Sequence, residues 1–229
     1  MKTIGLIGGL TWYSTLDYYR LLNELANKEL GGTHAAKIIL NSVDFGEIKV
    51  LTEKLDWDSI ADIICKAAKI IESAGAGCLM IGANTMHKIA DEVQAAVRIP
   101  VIHVADAVAV SIKAKNLKKV ALLGTKYTMQ LDFYKNRLAK AGIEVIIPNH
   151  ADVEFINRSI YTEFSKGIFL QETKKQYLQI INTLMEKGAR GVILGCTEIP
   201  ILIKQEDCSI PVFDTAFIHA DAAVKFAVA

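Results

Sequence analysis

The chain has 229 residues, of which 52% are hydrophobic and 22% are charged, and its formal net charge is +1. This composition excludes an intrinsically disordered chain, which would be less hydrophobic, and it lacks the basic excess of a nucleic-acid-binding protein. We therefore expect a folded protein whose partner is a small molecule of low charge, and we expect no nucleic acid partner.

Membrane segments and metal sites are not expected from the sequence. The apolar run that begins at Ile4 stops at Thr11, which is too short for a signal peptide, and no later run approaches the length of a membrane span. The four cysteines lie far apart, with no CxxC or Cys/His ligand spacing; they are Cys65, Cys78, Cys196 and Cys208. We expect a protein of the reducing cytoplasm with no membrane partner, no bound metal and no disulfides.

Short β-branched segments alternate with longer segments of helical periodicity. The first strand is predicted at IGLIGG, from Ile4, and its helix is predicted to begin near Ser14 and to end at Gly31. Further strands are predicted at KIILNSV, CLMIG, PVIHV, VALLG, EVIIP, GVILG and PVFDT. Further helices are predicted over residues 59–73, 128–141 and 171–187. This alternation is typical of an α/β protein built on parallel sheets.

An internal repeat divides the chain into two halves. GAGCLMIGANT, from Gly75, aligns without gaps with GARGVILGCTE, from Gly188; KTIGLIGG and RIPVIHVADA have counterparts in KKVALLGT and SIPVFDTAFI. The repeat predicts two similar four-stranded parallel-sheet α/β domains related by pseudo-twofold symmetry, with the active site in the cleft between them. We expect residues 1–99, completed by the C-terminal segment 213–229, to form the first domain and residues 100–212 to form the second.

Five polar segments follow predicted strands and begin helices. Open parallel sheets bind ligands at the carboxyl ends of their strands, so these segments are expected at the ligand site. Backbone N–H groups and hydroxyls at helix starts favour carboxylates or phosphates. The segments are GGLTW, NSVDF, GANTMH, GTKYT and GCTEIP.

The repeat aligns Ala83 with Cys196 and Asn84 with Thr197. To invert a stereocentre, a proton must leave one face and return to the other, so two equivalent positions in the two halves suit such a reaction. Cys196 lies at a predicted helix start, where the backbone dipole stabilises a thiolate. Alternatively, it is a small buried apolar side chain. Ala83 carries only a methyl group and cannot transfer a proton.

Several segments, taken together and in order, resemble the cofactor-independent aspartate/glutamate racemases, in particular the broad-specificity amino-acid racemase branch found in enterobacteria. The segments that carry the resemblance are GGLTWYST, NSVDF, ANTMHK, LGTKYTM, GCTEIP and PVFDTAFIHA. The resemblance implies an isomerase that uses no pyridoxal phosphate and no other cofactor. Two residues, usually both cysteines, act in that family as acid and base on the substrate Cα. The resemblance also implies a homodimer that acts on a small-molecule amino acid or dicarboxylate.

By the same resemblance, Cys196 is the second catalytic residue and Ala83 occupies the position of the first. Asn84, Thr85 and Thr197 are expected to bind the α-carboxylate of the substrate. The other residues that map near the substrate are Leu10, through its backbone, and Thr52, Thr125, Thr128 and Lys166. Thr128 could instead cap its helix, and Lys166 either anchors a side-chain carboxylate or is a solvated lysine at a helix end.

The sequence leaves three functions open. The first is an amino-acid racemase impaired by Ala83, and the second is a single-cysteine decarboxylase of the arylmalonate type. The third is a protein that binds amino acids without turnover. Ala83 is itself compatible with a natural one-cysteine variant or with an altered sequence. His87 is either a proton relay or a packing residue, and Glu198 either tunes Cys196 or binds backbone amides at the turn.

Overall fold

Two parallel β-sheets organise the chain, and the computed structural model describes all of it, from Met1 to Ala229. Unit 1 comprises Met1–His103 and His219–Ala229, and unit 2 comprises Val104–Ile218. The sequence placed the corresponding divisions after residues 99 and 212. The α/β class with two parallel sheets is confirmed, and the pseudo-twofold relation of the two halves stays a prediction.

Unit 1 contains a sheet of three parallel strands in the order β2-β1-β3. The strands are β1 (Ile4–Gly8), β2 (Ile38–Ser42) and β3 (Cys78–Ile81). The helices that lie entirely in unit 1 are α1 (Trp12–Leu30), α2 (Phe45–Glu53), α3 (Trp57–Ser73) and α4 (Ala90–Ala96), and a 3-10 helix spans Thr85–Ile89. The apolar side chains of β1 are fully buried, as expected for a strand covered on both faces.

The strand predicted at PVIHV is wrong, and the sheet of unit 1 has three strands where four were predicted. Val101 forms only an isolated parallel bridge with Leu79. Two hydrogen bonds make this bridge, from Leu79 N–H to Pro100 O (2.9 Å) and from Ile102 N–H to Leu79 O (2.8 Å). Pro100 has no N–H with which to extend the ladder, and the chain enters a helix at Val104. The pairing therefore ends after one residue.

Unit 2 contains the predicted four parallel strands, in the order β5-β4-β6-β7. The strands are β4 (Lys119–Gly124), β5 (Glu144–Ile146), β6 (Val192–Gly195) and β7 (Val212–Asp214). The helices are α5 (Val104–Ala114), α6 (Lys126–Gln130), α7 (Asp132–Lys140), α8 (His150–Thr162), α9 (Gln171–Glu186) and α10 (Ile199–Leu202), with 3-10 helices at Phe164–Lys166 and Gln205–Asp207. The last helix, α11 (Thr215–Val228), begins in unit 2 and belongs to unit 1 from His219 onward.

The sequence repeat is also a repeat of strand topology and register. In each sheet the first strand of the unit lies between the second and the third. Ile7 of β1 pairs with Ile81 of β3, and Leu123 of β4 pairs with Leu194 of β6, which are the residues that the sequence alignment equates. The residues after β3 and at the end of β6 are therefore structurally equivalent positions in their own units.

Three helices begin two residues before their predicted starts, at Trp12 in α1, Trp57 in α3 and Lys126 in α6. Thr11, and not Ser14, caps α1, because its Oγ1 accepts a hydrogen bond from the Ser14 N–H (3.2 Å). The helix predicted over residues 128–141 is divided into α6 and α7 at Leu131, which has an extended backbone. Helix α9 follows its prediction to within one residue. None of the helices combines the length and the apolar composition that crossing a bilayer requires.

Gly9 allows the loop after β1 to pass very close to the loop after β2. Its φ of 77° lies in the left-handed region, and its N–H donates to Thr15 Oγ1 (2.7 Å). A Cβ added at Gly9 would clash with the Val43 carbonyl oxygen, and it would lie 2.7 Å from the Val43 nitrogen and Ser42 Oγ. Both the backbone conformation and the space around it therefore require glycine.

We expect Gly9→Ala to lower the free energy of unfolding by about 3 kcal/mol, because it combines left-handed strain with a backbone clash. Gly142→Ala is the matched control, since Gly142 has the same φ of 77° but no atom within 4 Å of its added Cβ. We expect this control to cost about 1 kcal/mol. Urea unfolding of both variants checks the difference, and equal losses would show that the predicted clash is relieved.

Candidate functional site

The carboxyl edge of the unit 1 sheet brings together four of the predicted site residues. Leu10 follows β1, and Ala83, Asn84 and Thr85 follow the neighbouring strand β3. Ala83 is half-buried, and Leu10, Asn84 and Thr85 are buried. Thr52 lies inside α2, where its hydroxyl donates to the Ile48 carbonyl (2.7 Å). In this conformation Thr52 has no hydroxyl proton left to donate to a carboxylate.

The turn after β3 is fixed through three of its backbone groups. The Gly82 N–H donates to the Ile7 carbonyl (2.8 Å), and the Gly82 carbonyl accepts from Ser14 Oγ (2.9 Å). The carbonyl of Ala83 accepts from His87 Nδ1 (2.9 Å). A Cβ added at Gly82 would lie 2.9 Å from the Ile7 carbonyl oxygen. Ala83 therefore provides the first side chain after the strand, and that side chain is a methyl group.

The equivalent edge of unit 2 presents a thiol instead. Cys196 follows β6 and is half-buried, as Ala83 is, and the next residues, Thr197 and Glu198, are buried. A Cβ added at Gly195 would lie 2.9 Å from the Leu123 carbonyl oxygen, so Cys196 is again the first side chain after the strand. Cys196 packs against the apolar core of unit 2 and remains partly exposed beside polar residues, so its catalytic role stays a prediction.

Glu198 accepts hydrogen bonds from both side chains that precede it. Its Oε2 lies 3.0 Å from Cys196 Sγ and 2.7 Å from Thr197 Oγ1. Burial raises the pKa of the Cys196 thiol well above its ordinary value, and the charge of Glu198 and the hydrogen bond to it raise that pKa further. The expected thiolate is therefore not the resting state, because the helix start has a weaker effect on the thiol than burial and the adjacent carboxylate have.

Two threonines lie at the start of α6, beside the strand that carries Cys196. Gly124 pairs with Gly195, so the residues after β4 and β6 lie at the same edge. Thr125 is the N-cap of α6, since its Oγ1 accepts from the Thr128 N–H (3.2 Å), and the two buried hydroxyl oxygens are 3.2 Å apart. The capping role that the sequence offered for Thr128 thus belongs to Thr125.

Lys166 lies in the 3-10 helix Phe164–Lys166, before Gly167. The residue is exposed, and its side chain forms no ion pair. Its surroundings agree with the alternative of a solvated lysine more than with an anchor for a carboxylate.

Sequence reasoning missed a cluster of three buried histidines in unit 1. The ring of His87 lies 4.6 Å from that of His103 and 5.4 Å from that of His219, with edge-on geometry. His219 Nε2 lies 2.6 Å from the Ile102 carbonyl, so this nitrogen carries the hydrogen, and Nδ1 accepts from the Tyr18 hydroxyl (2.9 Å). No sequence pattern signals this cluster, because its members come from different parts of the chain. No group of three or more His, Cys, Asp or Glu side chains is arranged to bind a metal.

Comparison with known proteins places these features in a family. A family model described as Asp/Glu/hydantoin racemase matches residues 7–223. A crystal structure from Yersinia pestis, named as a candidate Asp/Glu racemase, is 48% identical, with a TM-score of 0.94 and 100% of both chains covered. The structure of an aspartate racemase homologue from Pyrococcus horikoshii OT3 is 40% identical, with a TM-score of 0.89 and the same coverage.

Two further proteins match almost the whole chain at lower sequence identity. The broad-specificity amino-acid racemase RacX of Bacillus subtilis (strain 168) is 23% identical over 230 residues, which cover 97% of this chain and 96% of that protein. The structure of unliganded arylmalonate decarboxylase is 14% identical, with a TM-score of 0.52 over 99% of this chain and 93% of its own. The second likeness shows a shared fold and nothing more.

We expect the stability of the protein to fall as the pH is lowered from 7 to 5. Burial lowers the pKa of folded His219 to about 4, whereas its ordinary value is 6.5. The unfolded state therefore binds the proton first, and stability that is present above pH 6.5 is lost as the pH falls towards 4. Protonation of His219 in the unfolded state therefore lowers the free energy of unfolding by about 2 kcal/mol between pH 7 and pH 5.

Urea unfolding at the two pH values measures this loss. His219→Gln keeps a donor for the Ile102 carbonyl and does not titrate, so its loss over the interval should be smaller by about 2 kcal/mol. Equal losses in the two proteins would show that His219 is not the group responsible.

We expect Glu198→Gln to increase the rate at which iodoacetamide alkylates Cys196 at pH 8 severalfold. The substitution removes a negative charge and a strong acceptor beside the thiol, so it lowers the pKa of Cys196 and raises the thiolate fraction. Mass spectrometry follows the reaction in a background of Cys65→Ser and Cys208→Ser. Glu186→Gln, at an exposed position of α9, is the charge-matched control and should leave the rate unchanged. An unchanged rate in Glu198→Gln would contradict the electrostatic coupling.

Proposed function

This chain belongs to the Asp/Glu/hydantoin racemase family, and from that premise we propose that it removes and returns the Cα proton of an amino acid without a cofactor. The proposed substrates are aspartate, glutamate or a related amino acid. The high identity over the full length of two racemase-type structures supports this assignment. The homodimer predicted from the resemblance stays a prediction.

The contact between the Cys196 thiol and the Glu198 carboxylate is the observation that carries the proposal. The thiol is neutral at rest, because burial and Glu198 hold its pKa high. A neutral thiol is a competent acid, so Cys196 can protonate a planar Cα carbanion on the face that it contacts. The proton leaves sulfur as the new C–H bond forms.

The reverse step needs the sulfur as a base, and Glu198 makes this possible. When the thiol proton passes along the 3.0 Å contact to Oε2, Cys196 becomes a thiolate and Glu198 a neutral carboxylic acid. The thiolate then takes the Cα proton, and the bonding pair stays on the substrate as a carbanion delocalised into its carboxylate. Charge and protons balance, because Glu198 holds the proton that the thiol gave up.

Buried polar side chains at the end of β3 are proposed to orient the substrate. Asn84 and Thr85 are proposed to bind the α-carboxylate, whose negative charge strengthens each hydrogen bond. The hydroxyl of Thr197, which the sequence also offered, is donated to Glu198 instead. Every added donor also stabilises the charge that develops when the Cα proton leaves. The hydroxyls of Thr125 and Thr128 are proposed as further contacts.

Ala83 leaves the proposed reaction with only one proton carrier. Inversion needs a second proton carrier, and the position that repeats Cys196 carries a methyl group. With Cys196 and Glu198 alone, the proton returns to the face that it left. We therefore propose that the chain as it stands exchanges the Cα hydrogen of one enantiomer far faster than it inverts the stereocentre.

A decarboxylase with a single cysteine is the second candidate, because a thiol after β6 with only a methyl group at the equivalent position after β3 also suits this reaction. Loss of carbon dioxide creates the carbanion without a base, and the neutral thiol then protonates it. The likeness to arylmalonate decarboxylase extends to the fold only. Release of carbon dioxide from disubstituted malonates would favour this candidate over the racemase.

We expect the protein in D₂O to exchange the Cα hydrogen of one enantiomer of its amino acid with little inversion. Cys196→Ala should lower the exchange by at least about a hundredfold, because it removes the acid and base. Ala83→Cys should raise inversion by about a hundredfold, because it supplies the second carrier. NMR follows exchange and polarimetry follows inversion over a panel of amino acids.

Cys208→Ser is the matched control, because Cys208 lies between the 3-10 helix Gln205–Asp207 and the start of β7, and does not follow the carboxyl end of a strand. If Ala83→Cys leaves inversion unchanged, residue 83 is not the site of a proton carrier. If ligand binds and neither exchange nor decarboxylation occurs, the protein binds amino acids without turnover.

A further inference from the structure

His87 is a feature of unit 1 that its repeat in unit 2 does not share. The alignment that equates Ala83 with Cys196 equates His87 with Pro200. His87 is only 2% exposed, and its Nδ1 lies 2.9 Å from the carbonyl oxygen of Ala83. A carbonyl oxygen accepts hydrogen bonds and cannot donate them, so Nδ1 carries the hydrogen. The ring thus holds the backbone of the position where the family has its first catalytic residue.

The ring of His87 packs against two other histidine rings. His103 and His219 pack against it with interplanar angles of 65° and 68°. Both nitrogens of His219 are occupied, one by the Ile102 carbonyl and one by the Tyr18 hydroxyl. The His219 ring therefore cannot turn without breaking a buried hydrogen bond, and it limits the movement of His87.

This arrangement sets the direction of one peptide plane. In a trans peptide, the C=O and the following N–H point in opposite directions. Because the Ala83 carbonyl points to His87 in the buried cluster, the Asn84 N–H points away from that cluster. The preceding carbonyl, of Gly82, is held by Ser14 from α1. Side chains of two different elements thus fix two successive peptides of the turn.

We propose that His87 is a positioning residue, which orients the Ala83–Asn84 peptide so that Asn84 presents its backbone N–H and side chain to the α-carboxylate of the substrate. This inference rests on the proposed function. It replaces the proton relay that the sequence suggested, because His87 is buried and gives its Nδ1 hydrogen to the backbone. His103, His219 and Tyr18 act through His87 and do not touch the substrate.

The first test concerns the tautomer and needs no ligand. Long-range ¹H–¹⁵N correlation spectra of the full chain distinguish a ring protonated at Nδ1 from one protonated at Nε2. We expect the Nδ1–H form for His87 and the Nε2–H form for His219. The Nε2–H form for His87 would overturn the proposal, because that ring could not donate to the Ala83 carbonyl.

The second test separates positioning from packing. His87→Leu fills the space but has no donor, whereas His87→Asn places an amide N–H about where Nδ1–H lies. We expect His87→Leu to weaken binding of the amino acid about tenfold, the value of one well-placed hydrogen bond. We expect His87→Asn to restore most of the affinity. Calorimetry gives the dissociation constants for aspartate and glutamate, and His34→Leu, at an exposed histidine of the same unit, is the matched control.

The outcomes are distinguishable. If the wild-type chain binds and both His87 variants bind as tightly, His87 only fills space and the inference fails while the proposed function stands. If the two variants lose affinity equally, the donor is not the cause and the inference also fails. If the wild-type chain binds no amino acid of the panel, the proposed function itself fails. If His87→Leu does not fold, the tautomer and the His87→Asn affinity still decide the matter.

Discussion

The parallel pairing of the central strands is the constraint on which the rest of the structure depends. Ile7 pairs with Ile81 in one sheet and Leu123 with Leu194 in the other. Parallel strands end at the same edge of a sheet, so this register decides which side chains can meet there. At both edges the next residue is a glycine whose Cβ would lie 2.9 Å from a carbonyl of the neighbouring strand. The first side chain beyond the sheet is therefore residue 83 in unit 1 and residue 196 in unit 2.

Electrostatics then determine what the thiol can do. Glu198 is buried beside Cys196, and a buried carboxylate is stabilised when donors surround it. The Cys196 thiol and the Thr197 hydroxyl supply two of these donors, at 3.0 and 2.7 Å. The same contacts that stabilise the carboxylate keep the sulfur protonated. In the proposed mechanism the thiol is an acid at rest and becomes a base when the carboxylate takes its proton.

The two units share the order of their first three strands and differ in the residues at equivalent positions. Unit 2 carries the thiol and the carboxylate, whereas unit 1 carries a methyl group and, beneath it, three packed histidines. Under the proposed function, unit 2 supplies the proton carrier, whereas the turn after β3 in unit 1 has a backbone that is held by hydrogen bonds. The carbonyls of Gly82 and Ala83 accept these hydrogen bonds.

The sequence by itself determined the α/β class, the internal repeat, and the placement of Ala83 and Cys196 at equivalent strand ends. It could do so because buried strands, polar strand ends and helix starts are local patterns, and because a repeat compares the chain with itself. Only the tertiary structure decided the rest. The loss of the fourth strand of unit 1 depends on how far the segment after Pro100 can pair, and the neutral state of Cys196 depends on burial and on where the Glu198 carboxylate points. The histidine cluster joins residues from distant parts of the chain, and spacing along a sequence carries no information about contacts that form only when separate elements pack together.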